Sequence, residues 1–201
     1  MASALDHDFA PPANRKAVVL TGLLVTAIIV GGALFVSGRS GLERIGRGGI
    51  NQSVLPKVGE IAPEFETRNL LGEPVRLSDF RGQPVWLMFW GSWCPPCRAE
   101  FPDLQRAYAQ LEPEGIVLIG VSLRESPLDA ALFAMNNQAT FLILSDPDET
   151  DTRTAYPIRN FPTHIFIDRD GVIRSIVLKD MSEEQALREA RSLLNLEVTD
   201  P

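Results

Sequence analysis

Cys94 and Cys97 are the two cysteines of this 201-residue chain, and Pro95 and Pro96 separate them. Two thiols at that spacing can cycle with a disulfide, hold a soft metal ion or clip the chain together. Their surroundings narrow the choice. Ahead of them Val85-Trp86-Leu87-Met88-Phe89-Trp90 is an unbroken apolar run of strand length. Behind them Phe101, Leu104, Tyr108 and Leu111 recur at the helical period. The cysteines therefore fall where a buried strand turns into the start of a helix. Cys94 reads as the N-cap, and the two prolines fill the first helical positions, where a missing N–H does little harm. The unpaired N–H groups and the positive end of the peptide dipoles favour a thiolate there over a thiol. With both prolines unable to donate, Cys97 carries the first backbone N–H that could reach the Cys94 sulfur. This geometry suits a nucleophile at Cys94 and a more buried resolving thiol at Cys97.

The other readings of the pair are weaker. A CxxC clip closes too small a loop to restrict the unfolded chain much. A structural zinc site needs four ligands. The chain offers two cysteines, His7 and His164, and a long apolar segment cuts His7 off from the rest. A redox dithiol needing no metal or organic cofactor is the expectation.

The elements that must position the pair follow from the rest of the chain. Residues 1–16 form a short polar tail. Residues 17–37 are twenty-one consecutive residues without a charge. That length spans the roughly 30 Å hydrocarbon layer as a helix and predicts a single transmembrane anchor. A cleaved signal peptide would have a shorter apolar core and a small-residue cleavage site. Residues 38–58, rich in Gly and Arg, read as a linker. Flanking charge does not decide which way the anchor is oriented, because Arg15 and Lys16 precede it and Arg39, Arg44 and Arg47 follow. The whole chain carries a net charge of −7, with the acidic excess beyond residue 58; such a domain is a poor partner for nucleic acid.

Residues 59–197 read as one domain. Glu64–Thr67 and Val75–Leu77 alternate across Gly72 and predict a short β-hairpin. The central strand 85–90 and a helix over 95–111 with Pro102 inside it come next. A buried strand over 116–121, a helix over 126–138 and a short strand over 141–144 follow. Two strands around the turn Arg169-Asp170-Gly171 and a last helix opened by the capping box Ser182–Gln185 complete the order. A βαβ crossover followed by a hairpin and a closing helix implies a mixed sheet with helices on both faces. With CxxC after the first buried strand, this α/β pattern is that of a thioredoxin-like domain, here with an N-terminal hairpin extension.

Phe89-Trp90-Gly91-Ser92-Trp93-Cys94-Pro95-Pro96-Cys97-Arg98-Ala99-Glu100-Phe101-Pro102 resembles the active-site run of the membrane-anchored TlpA/ResA-like thiol–disulfide oxidoreductases, a group related to the AhpC/TSA-type redoxins and the cytochrome c maturation thioredoxins. Gly59–Phe65, Leu77–Gly82 and Phe161–Asp168 resemble that group in the same order. The resemblance implies a cis bond before Pro162 and a substrate groove from Trp93, Pro95, Pro96, Phe161, Pro162 and Thr163. It also implies that Glu100 stands near the cysteines, where helical spacing puts it on nearly the same face as Cys97; a solvated surface acid is the alternative. Two departures stand out. Met88 occupies a position where ordinary thioredoxins carry a buried aspartate, which makes Glu100 the candidate proton acceptor. His164 is unusual, and reads either as a satisfied strand histidine or as a group that tunes the dithiol.

Functionally, the resemblance implies a cell-membrane, single-pass protein with its redox domain outside the cytoplasm. There it would reduce disulfides in protein substrates such as apocytochrome c, with electrons from a transmembrane thiol carrier. The same dithiol run as an oxidant is an alternative. A thioredoxin-like copper carrier is another, although such carriers space their cysteines by three residues.

Overall fold

The computed structural model describes residues 55–194. The expected tail, the anchor over 17–37 and nearly all of the linker lie outside the described residues. Among the described residues no helix is long and apolar enough to cross a membrane. Packing begins at Leu55, which leans on a hydrophobic cluster, and Pro56 is buried.

Seven strands form one mixed sheet. In chain order they are β1 (Glu66–Asn69), β2 (Pro74–Arg76), β3 (Val85–Trp90), β4 (Val117–Leu123), β5 (Leu142–Asp146), β6 (Thr163–Ile167) and β7 (Ile173–Val177). Among the described residues three α-helices accompany them: α1 (Pro95–Leu111), α2 (Pro127–Asn136) and α3 (Glu183–Ser192). The order across the sheet is β2-β1-β5-β4-β3-β6-β7. β3 lies between β4, to which it is parallel, and β6, to which it is antiparallel. The expected hairpin β1–β2 forms and extends the sheet beside β5.

β3 is apolar throughout because it has neighbours on both sides and cover on both faces; all six residues are buried. Strand alternation divides them. Trp86, Met88 and Trp90 join one cluster, and Val85, Leu87 and Phe89 join the other. Truncating such a residue, as in Leu87→Ala, costs about 2–5 kcal/mol.

The expectation of helices on both faces is not met among the described residues. Buried residues of α1 (Phe101, Leu104), α2 (Ala134) and α3 (Ala186, Ala190) all enter the cluster of Trp86 and Trp90. Connection rules explain this. The crossovers β3–α1–β4 and β4–α2–β5 both step the same way along the sheet, so right-handedness puts α1 and α2 on one face. The opposite face is covered by Ala62 and Phe65, by the 3-10 turn Leu77–Phe80, and by Tyr156 and Ile158 from the β5–β6 connection. The Tyr156 hydroxyl donates to the Pro63 carbonyl at 2.7 Å and ties two of these segments together.

Helix α1 continues through Pro102. It is tied to α3 by Glu183, whose carboxylate accepts from Arg106 at 2.8 Å and from Gln110 at 2.9 Å. Alanines at the buried positions of α3 let the two helices approach closely.

Candidate active site

β3 ends at Trp90, the chain turns over Gly91–Trp93, and Cys94 caps α1. The Cys94 N–H donates to the Gly91 carbonyl at 3.0 Å, which closes that turn. Cys94 and Cys97 are joined as a disulfide with Cα atoms 5.3 Å apart. The Cys97 N–H donates to the Cys94 sulfur at 3.3 Å. It does so alone among the first three helical positions, since Pro95 and Pro96 have no N–H. Cys94 is 2% exposed and Cys97 is fully buried, whereas Pro95 and Pro96 face solvent.

An aromatic rim stands beside the disulfide. Trp93 is 44% exposed. Its indole N–H donates to the Leu123 carbonyl at 2.9 Å, and its ring meets Phe161 edge-on with centroids 5.0 Å apart. The ring also lies over Gly91, where an added Cβ would fall 2.3 Å from the indole nitrogen; only glycine leaves room for the indole there. The Arg124 guanidinium sits 4.9 Å from the Phe161 ring centroid, a cation–π arrangement. Glu149 in turn holds Arg124 through a charged hydrogen bond. Glu125 anchors the loop before the cysteines by accepting from the Ser92 N–H at 2.9 Å and from the Ser92 hydroxyl.

The Phe161–Pro162 bond is cis, as the resemblance implies, and the Trp93–Phe161 contact brings that segment to the rim. Pro162 is buried, and so is Thr163. The Thr163 hydroxyl donates to the Asn160 carbonyl at 2.8 Å, so the side chain is turned inward, away from any substrate at the rim.

One helical turn past Cys97 the site is polar and closed. Glu100 is 3% exposed, which removes the surface-acid alternative. Its Oε2 accepts from the Met181 N–H at 2.9 Å and lies 3.3 Å from His164 Nε2. The other oxygen, Oε1, has no hydrogen-bond partner. His164 is fully buried, and its Nδ1 accepts from the Trp86 indole N–H at 3.2 Å.

Reasoning from sequence missed the roles of Trp86, Gly91, Leu123, Arg124, Glu125 and Met181. A signal existed for three of them. Parallel pairing sets Trp90 beside Ser122, so the residues just after Ser122 must flank those just after Trp90. Nothing in the sequence marks Met181, which contributes only a backbone N–H.

A disulfide capping a helix at the end of the central strand can exchange with other disulfides. The fold and site together define a thiol–disulfide oxidoreductase with a thioredoxin-like fold. The chain belongs to the AhpC/TSA family, whose pattern matches residues 58–176. It is 35% identical over 136 residues to thiol-disulfide oxidoreductase ResA of Geobacillus kaustophilus, a match covering 68% of this chain and 78% of that one. Among solved structures it is similar to a secreted disulfide oxidoreductase of Mycobacterium tuberculosis (TM-score 0.59, 26% identity, 64% of this chain and 96% of that one). It is also similar to a secreted thiol-disulfide isomerase of Corynebacterium glutamicum (TM-score 0.63, 25% identity, 74% and 96%).

Proposed function

We propose that this protein is a disulfide reductase, tethered by residues 17–37 with its redox domain outside the cytoplasm. In this reading it acts on disulfide-bonded protein substrates, apocytochrome c among them, and is recharged by a transmembrane thiol carrier. The Cys94–Cys97 pair is its redox centre and no separate cofactor takes part. The observation that carries the direction is the sparse support for a thiolate at Cys94. Its sulfur accepts one backbone N–H, from Cys97, while two prolines remove the other nearby donors. A buried carboxylate, Glu100, follows one turn later. With fewer N–H donors than a helix N-terminus ordinarily presents, the thiolate gains less stabilisation there, which disfavours the reduced pair relative to the disulfide and makes the dithiol a better electron donor.

The chemistry balances within the pair. The Cys94 thiolate attacks one sulfur of the substrate disulfide; that S–S bond breaks, and the departing substrate sulfur takes up a proton. Cys97 then gives its proton to Glu100 and attacks Cys94. The mixed disulfide breaks, the second substrate sulfur leaves as a thiolate that takes a proton from water, Glu100 returns its proton to water, and the enzyme is left with the Cys94–Cys97 disulfide. Two electrons have passed to substrate.

Equilibrating the full chain with a graded dithiothreitol buffer tests the direction. The expected potential is at the reducing end, about −270 mV or below; a value near −120 mV, typical of a strong thiol oxidant, would reverse the assignment. Tethering is tested separately with a membrane-impermeant thiol reagent on reduced spheroplasts. Labelling of Cys94 without lysis is expected, and labelling only after lysis would put the domain on the other side.

A further inference from the structure

His164 sits in the second position of β6, directly across from Met88 of β3, and shares a strand face with Phe166. That face is the one α1 covers, so the imidazole projects toward the helix that carries the cysteines. Both of its ring nitrogens have an assigned neighbour. An indole N–H can only donate, so the bond from Trp86 makes Nδ1 the nitrogen without hydrogen. The ring hydrogen is then on Nε2, and Nε2 lies 3.3 Å from Glu100 Oε2 with no other partner. The approach is close but not aligned as a full hydrogen bond. Oε2 thus faces two N–H groups, from Met181 and His164, while Oε1 faces none. A fully buried carboxylate normally finds partners for both oxygens; here one is left over, one turn past Cys97.

We propose that His164 is a positioning residue for Glu100. Trp86 fixes the imidazole, the imidazole and the Met181 N–H hold Oε2, and Oε1 is left as the open site for the proton that Cys97 releases when it resolves the mixed disulfide. This rests on the role of Glu100 given above. The ionisable groups facing one another here are few. α1 supplies Cys97 and Glu100, and β6 supplies His164. β3 offers Trp86 and Met88, β7 places Val177 opposite His164, and α3 presents Ala186 and Ala190 to the same cluster. Lys179 and Asp180, just before Met181, are exposed.

Two measurements on the full chain test this. The first is the nitrogen-15 spectrum of the histidine rings, with His164 assigned by substitution. A hydrogen on Nε2 is expected, with the preference weakened in Trp86→Phe; a hydrogen on Nδ1 would overturn the proposal and needs no variant to fold. The second is the single-turnover rate of mixed-disulfide resolution against pH. His164→Met, which has no donor, is expected to slow resolution about tenfold near neutrality and to move the profile in the same direction as Glu100→Gln. His164→Gln, whose amide can put an N–H near the Nε2 position, is expected to recover most of the loss. If His164→Met leaves the profile unchanged while Glu100→Gln shifts it, His164 is a packing residue and the role of Glu100 stands. If neither variant shifts it, the role of Glu100 falls and this inference falls with it.

Discussion

On the outer side of the disulfide, Trp93 is 44% exposed and Pro95 and Pro96 face solvent; on the inner side Cys97, Glu100 and His164 are each at most 3% exposed. The outer groups are rigid and mostly without free donors. Two prolines, an indole fixed by its bond to Leu123, and Phe161 in contact with that indole and with Arg124 make a surface that can receive a polypeptide but cannot easily move protons. The inner groups are the reverse, a short array of polar atoms closed off from water. Thiol–disulfide exchange needs both kinds of environment. The attacking sulfur must meet a large partner, whereas the resolving sulfur must lose a proton without solvent. In the proposed mechanism Cys94, at the helix cap, serves the outer environment and Cys97, one turn in, the inner one.

That division can be broken most completely at the sulfurs. Cys94→Ser is expected to abolish disulfide reduction. Cys97→Ser is expected to capture substrate as a lasting mixed disulfide at Cys94, detectable on a non-reducing gel. Alkylation of the partly reduced wild type that labels Cys97 before Cys94 would mean the two environments have been assigned the wrong way round.

A smaller effect is expected at the rim. Trp93→Ala should raise KM roughly tenfold, the usual range for an aromatic contact of this kind, and leave kcat nearly unchanged. Gly91→Ala should behave similarly without touching the indole itself, because the new methyl group would displace it. A fall in kcat with KM intact in either variant would mean the rim does more than receive substrate.

The smallest signal is optical. Trp93 adjoins Cys94, and a disulfide quenches nearby indole emission more than a dithiol does. Emission should rise on reduction, and Trp93→Phe should remove most of the rise. An unchanged rise in that variant would trace the effect to Trp86 or Trp90 inside the core.

The segment running through the cysteines was the easier part to read from sequence. The strand–turn–helix around the cysteines, the N-cap at Cys94 and the shared face of Trp86 and Trp90 all follow from local periodicity and proline placement, and the structure has each of them. The inner region depends on long-range register. Helical spacing brings Glu100 under Cys97, but its burial comes from β6 and the segment before α3, far away in sequence. His164 becomes a neighbour of Glu100 only because β6 pairs with β3 so as to set it opposite Met88. The arrangement of helices on one face was illegible for a related reason. It depends on β5 lying beyond β4 rather than on the far side of β3, and a short apolar strand carries no mark of which edge it will join. Thr163 shows a further limit: its position beside Pro162 was legible, its inward hydroxyl was not.

The division between the two sides of the disulfide is tested most directly by measuring its two half-reactions separately in Glu100→Gln. Stopped-flow mixing of the reduced enzyme with a disulfide-bonded peptide resolves formation of the mixed disulfide at Cys94 from its resolution by Cys97. The expected result is formation at the wild-type rate and resolution slowed by about a hundredfold near neutral pH, the usual contribution of a general base. Equal slowing of both steps, or resolution at the wild-type rate, would contradict the assignment of proton handling to the buried side alone.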